Sequence, residues 1–108
     1  MGEVSFLLPG DIESPVERNL VLDHAPLSAT VLKSPHHGSK TSSDEMFLDA
    51  VNPQIVVISV GEENRFGHPS GDILARYEAR GLTVLRTDEQ GSIEFSTDGR
   101  QLWVETAR

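Results

Sequence analysis

Two adjacent histidines, His36 and His37, stand in the segment "PHHGS", between a proline and a glycine. Neutral imidazole is the commonest protein ligand for metals, and it can also act as a general base near neutral pH. Glycine lets a ligand approach the backbone closely, and the amides of Gly38 and Ser39 can hold an anion. The pattern indicates a metal site, an acid–base centre or a polar surface loop. On an extended segment only one of the two imidazoles would face a given site.

Other polar residues follow apolar runs in the same way. Asp11, in "LLPGDIE", is a carboxylate that can bridge two divalent ions or cap the next helix. His68 lies in "NRFGHPS", where Arg65 can pair bidentately with phosphate and Asn64 adds a polar side chain. The alternative for that segment is a surface connector. His24 falls at a predicted helix end, where a cation complements the helix dipole, and is interpreted as structural.

Strand-like and helical patterns alternate along the chain. Strands are predicted at 3–8, 29–33, 54–60 and 82–87, and helices at 14–23, 42–51 and 72–80. "DEQG" is predicted to be a turn, and "SIEFST" and "QLWVET" to form an antiparallel hairpin around "DG". The prediction is one α/β domain over residues 1–108, with one mixed sheet and flanking helices.

The predicted helices connect the strands, and the strand ends should place these polar residues together. Two capping boxes are predicted, Ser14 with Glu17 and Ser42 with Glu45. The inward positions of the second and third helices are predicted to be Met46, Phe47, Ala50, Ile73, Leu74 and Tyr77. Because ligands bind at the carboxyl ends of strands in such sheets, Asp11, the histidine pair and the 61–68 segment are expected on one rim.

Composition excludes several classes of protein. A chain of 108 residues suits one small domain, and its formal net charge of -8 argues against a duplex-binding module with a basic face, unless divalent cations reverse the local charge. The absence of cysteine excludes disulfides and cysteine-ligated zinc. We find no apolar run long enough to span a membrane, no signal peptide, no "GxSxG" elbow and no Walker phosphate loop.

Four segments together carry a family resemblance. In order they are "LLPGDIE", "VLKSPHHGSKTSS", "FLDAVNPQIVVISVGEENRFGHP" and "GLTVLRTDEQGSIEF". They resemble the C-terminal part of the metallo-β-lactamase-like domain of ComEC-type DNA-internalisation (competence) proteins. The resemblance extends from about Val4 to about Phe95, and "PHHGS" followed by "NRFGHP" is its most specific feature.

The resemblance implies half of a four-layer αββα sandwich, with a metal site at one edge between two sheets. It implies a divalent-metal-dependent nuclease acting on single-stranded DNA, in the soluble domain of a bacterial cytoplasmic-membrane protein. Zn, Mn or Mg would be held by Asp11 and His37, with His36 as the alternative ligand. His68 would contact phosphate or transfer a proton. The further phosphate contacts are expected from Ser39, Asn64 and Arg65.

One departure from the family limits these expectations. The principal metal motif, His-x-His-x-Asp-His, is absent from the chain. We therefore expect the N-terminal half of the domain to be a missing partner, and this chain alone to bind metal weakly, or not at all, and to be inactive. The alternatives are a non-catalytic partner-binding or assembly module, which would pair with itself through an exposed sheet face, and a related hydrolase of a small phosphoester or ester.

Overall fold

The computed structural model describes residues 4–38, 42–60 and 69–107, without the side chains of His36 and His37. Its strands are β1 (Phe6–Leu7), β2 (Val31–Lys33), β3 (Ile55–Ile58), β4 (Thr83–Arg86), β5 (Ile93–Thr97) and β6 (Leu102–Thr106). Its helices are α1 (Ser14–Leu22), α2 (Glu45–Val51), α3 (Gly71–Ala79) and α4 (Thr87–Gln90), with a 3-10 helix at Pro35–Gly38.

The first four strands form one parallel sheet in the order β1-β2-β3-β4. Strands β5 and β6 pair only with each other, antiparallel, in a separate sheet. The α/β class and the hairpin are thus confirmed, whereas the mixed sheet is wrong. The hairpin strands pair with each other along one edge each, and in the described residues they add no antiparallel strand to the parallel sheet.

Three helices cover one face of the parallel sheet. The buried cluster on this face joins Leu32, Val56 and Ile58 of the strands to α2 and α3, and residues of α1 pack against it. Parallel strands in sequential order place their helices on one face when every crossover has the usual right hand. In the described part of the chain, the three helices that connect the strands therefore leave the sheet's other face uncovered.

The other face is mostly apolar, with Lys33 and Thr83 among its residues. Along each strand, residues on this face alternate with residues that point into the core. Val31, Ile55 and Thr83 are register partners on neighbouring strands and form one row of this face. The hairpin reaches part of it, because the rings of Phe6 and Phe95 meet edge to face with centroids 5.6 Å apart. A cavity of about 120 Å³ remains, lined by Phe6, Leu8, Val31, Lys33, Val57 and Phe95.

Several local predictions need correction. Neither Ser14 nor Ser42 caps its helix: α1 begins after Glu13 and α2 after Asp44, and neither cap makes a side-chain hydrogen bond. The segment predicted as a "DEQG" turn instead contributes to α4, whose Gln90 side chain accepts from the Arg86 amide at 2.6 Å.

The buried faces of the helices are partly as predicted. Met46 is 41% exposed and Ala50 only half-buried, while Leu48 and Val51 are buried beside Phe47. The predicted inward face of α3 agrees better with the structure, since Ile73 and Tyr77 are fully buried. The buried face of α2 is thus displaced by about one residue from the predicted one, although Phe47 belongs to both, and the helix starts three residues later than predicted.

Candidate functional site

The polar segments of interest leave the sheet at its carboxyl edge. Because β1, β2 and β3 are parallel and in register, the residues that follow each of them emerge on the same side. Asp11 follows β1 and is exposed, and the 3-10 helix carrying the histidine pair follows β2. The shared rim is thus confirmed for Asp11 and the backbone of the histidine pair.

Contacts between these segments tie them together. The Oγ of Ser42 donates to the carbonyl of Ile12, next to Asp11, at 2.5 Å. The amide of Ser70 donates to the carbonyl of Gly38 at 2.9 Å. Gly38 is so close to Pro69 that a Cβ on it would lie 2.7 Å from the Pro69 Cβ. The end of the "PHHG" segment therefore touches the residue that follows His68 in the chain.

Some predicted site residues are outside what the structure describes. These are Ser39, Asn64, Arg65 and His68, and also the side chains of His36 and His37. The backbone of the pair forms a 3-10 helix within the segment predicted as a loop, so the argument from an extended segment does not apply to it. Among the described residues, no three His, Asp or Glu side chains form a group able to hold a metal ion. His24, read as structural, follows α1 with a left-handed φ of 56°.

A buried polar cluster, which the sequence did not reveal, lies behind the histidine segment. Glu17 is fully buried, and its two carboxylate oxygens accept from the amides of Ser43 at 2.6 Å and Asp44 at 2.7 Å. The hydroxyl of Tyr77 is hydrogen-bonded to the Oγ atoms of Ser34 at 2.7 Å and Ser43 at 2.6 Å. Arg76 donates from Nη1 to the Ser43 carbonyl at 2.7 Å.

Burial sets the protonation of this cluster. Desolvation raises the pKa of Glu17 above its ordinary value of 4.5, against the opposing effect of the two amides that it accepts from. Desolvation also raises the pKa of Tyr77 above 10.0, which keeps its hydroxyl protonated and able both to donate and to accept. Glu17 lies three and four residues before Leu20 and Val21, which pack against the core. This helical spacing was a weak indication that the Glu17 side chain also faces inward.

The raised pKa of Glu17 predicts a pH dependence of stability. Between 4.5 and its folded-state pKa, the folded chain binds more protons than the unfolded chain, so the stabilisation by Glu17 is greatest below 4.5 and falls as pH rises through that window. Urea unfolding of the wild type and Glu17→Gln across this range should show the wild-type advantage shrinking with rising pH. An advantage that grows instead would mean that the two amides outweigh desolvation.

The geometry defines an α/β chain whose polar segments lie at the carboxyl edge of a parallel sheet. The sequence of this chain is similar to a segment of competence proteins. It is 36% identical over 99 residues to ComE operon protein 3 of Bacillus subtilis, covering 92% of the chain and 13% of that protein. It is 39% identical over 95 residues to Competence protein ComA of Neisseria gonorrhoeae, covering 87% of the chain and 14% of that protein.

A further relative is Recombination protein 2 of Haemophilus influenzae, 31% identical over 107 residues, covering 99% of the chain and 13% of that protein. The chain thus spans about one seventh of the length of these relatives. No protein-family model and no solved structure matches it. The names of the relatives support the competence resemblance. In the described part of the chain, no helix has the length and apolar character needed to cross a membrane.

Proposed function

We propose that the chain is the C-terminal half of a metallo-β-lactamase-like domain, a metal-dependent phosphodiesterase that acts on single-stranded DNA during competence. The observation that carries the proposal is the convergence at one sheet edge of Asp11, the histidine segment and Pro69, which follows His68. The names of relatives from Bacillus and Neisseria point to the same process.

The donor set fits a divalent ion in type but supplies only half of a site. Asp11 offers a carboxylate at the exposed edge, and one of His36 and His37 would offer an imidazole. Both ligand types suit Zn, Mn and, through oxygen, Mg. A catalytic zinc ion usually takes three protein ligands, so the remainder would come from the N-terminal half. When bound, the ion supplies Lewis acidity toward the phosphodiester.

The chain's own residues would bind the ion, hold the phosphate and transfer a proton. Asp11 and the ligating histidine would fix the ion at the edge of the sheet. Ser39, Asn64 and Arg65 would hold the phosphate, Arg65 through paired hydrogen bonds. His68 would contact phosphate or carry a proton, as imidazole does near neutral pH.

The apolar sheet face agrees with a missing second layer. Phe6 is 42% and Leu8 71% exposed at the end of β1, beside the 120 Å³ cavity. Exposed apolar patches of this kind mark contact surfaces. We assign this face to the N-terminal half of the domain in a soluble part of a membrane-anchored protein. When the chain is purified alone, two copies would pair through it, which light scattering would detect as a dimer.

Hydrolysis of labelled single-stranded DNA tests the proposed function. The protein carrying the complete domain should cleave it with Mn²⁺, Mg²⁺ or Zn²⁺ and lose cleavage with a chelator, while the 108-residue chain alone should be inactive and bind metal weakly. Asp11→Asn in the complete protein should lower cleavage about a hundredfold or more, since ion placement underlies the chemistry. Full activity in Asp11→Asn, or tight stoichiometric metal in the isolated chain, would contradict the assignment.

A further inference from the structure

The histidine segment is closed at its base by one side chain from α3. Ser34 directly follows β2, and Ser43 lies two residues before α2 begins. The Tyr77 hydroxyl bridges their Oγ atoms, at 2.7 and 2.6 Å. All three side chains are buried. The two ends of the segment from 34 to 43 are therefore joined through a single phenol.

Ser43 is held in a conformation that it would otherwise avoid. Its φ is 59°, in the left-handed region that non-glycine residues rarely adopt. Its amide is bound by Glu17, its carbonyl by Arg76 and its hydroxyl by Tyr77. Every hydrogen-bonding group of this residue is thus engaged by a side chain from α1 or α3, and the surrounding structure determines its backbone.

A buried polar cluster of this kind is costly unless every group is satisfied, and an apolar set would pack the same helices without that cost. Among the described residues, the cluster contacts the two ends of the histidine segment, at Ser34 and at Ser43 with Asp44. These contacts hold the residue that leaves β2 and the residues that lead into α2.

We propose that Tyr77, supported by Glu17 and Arg76, is a positioning residue that fixes the "PHHG" segment, Pro35–Gly38, at the sheet edge. Its place in catalysis rests on the proposed function, but its effect on the segment does not. Tyr77 acts through Ser34 and Ser43 and needs no contact with substrate or metal.

Tyr77→Phe in the 108-residue chain is the test, since it removes only the hydroxyl. Backbone amides at 36–38 and 42–44 should exchange with solvent about tenfold faster relative to those of β3, which is the effect of losing one buried hydrogen-bonded group. The imidazole signals of His36 and His37 should shift in the same spectra. Ile73→Val, a buried change on the same helix, is the matched control and should speed exchange evenly.

Equal acceleration of the segment and of β3 in Tyr77→Phe, with unmoved imidazole signals, would overturn the proposal. If Tyr77→Phe fails to fold, Ser34→Ala removes one of the two bridging bonds and should give the same pattern at smaller size. In the complete protein, Tyr77→Phe should lower kcat for single-stranded DNA about tenfold with KM little changed. A wild type without cleavage would refute the proposed function, while the exchange result would still decide the positioning role.

Discussion

Replacing Gly38 by alanine should destabilise the chain by about 3 kcal/mol, from a left-handed backbone and a steric clash together. Gly38 has a φ of 81°, and a Cβ there would lie 2.7 Å from the Pro69 Cβ and 3.0 Å from its Cα. Pro69 cannot yield easily, because the next residue, Ser70, donates its amide to the Gly38 carbonyl. Urea unfolding followed by circular dichroism measures the loss.

Gly81→Ala separates the two causes. Gly81 has a φ of 70° but no atom within 4 Å of an added Cβ, so it should lose only the backbone part, about 1 kcal/mol. Equal losses in the two variants would mean that the contact between the "PHHG" segment and Pro69 is not close. The convergence of the two motifs would then lose its support.

Removing the buried carboxylate in Glu17→Ala should cost about 3 kcal/mol at neutral pH. The amides of Ser43 and Asp44 would lose the acceptors that they have at 2.6 and 2.7 Å, and a cavity would open between α1 and α2. Glu17→Gln should lose less, because its amide oxygen still accepts one of the two bonds. Thermal and urea unfolding give both values.

Arg18→Ala is the matched control, one residue along the same helix. The Arg18 side chain is 57% exposed in its ion pair with Asp44 at 3.2 Å, so its loss should cost less than 1 kcal/mol. A Glu17→Ala loss as small as that of Arg18→Ala would show that the Ser43 and Asp44 amides find other acceptors. The cluster behind the histidine segment would then be dispensable.

Local patterns in the sequence predicted the order of the elements well. The alternation of apolar runs and helical faces predicted a sheet with helices between its strands, and "DG" between alternating residues predicted the hairpin. Each of these signals comes from residues that are close together in the sequence. The parallel register, in contrast, depends on partners more than 20 residues apart, such as Val31 and Ile55.

The failures share a physical cause. Glu17 fits a capping box by spacing, but its carboxylate binds amides 26 and 27 residues away instead of those of its own helix. Tyr77 was predicted inward from helical spacing, yet nothing local to it indicated that its hydroxyl would join Ser34 to Ser43. Tertiary contacts of this kind leave no periodic trace in a single sequence, so the rim was predictable and the cluster behind it was not.

Line broadening by Mn²⁺ tests most directly whether the sheet edge holds half of a metal site. In ¹H–¹⁵N spectra of the 108-residue chain, weakly bound Mn²⁺ should first broaden the amides around Asp11 and at 36–38. Asp11→Asn should remove this broadening. Asp23→Asn should leave the broadening unchanged, since Asp23 lies at the C-terminal end of α1, toward the opposite edge of the sheet. Broadening that instead follows acidic residues elsewhere and survives Asp11→Asn would contradict a metal site at this edge.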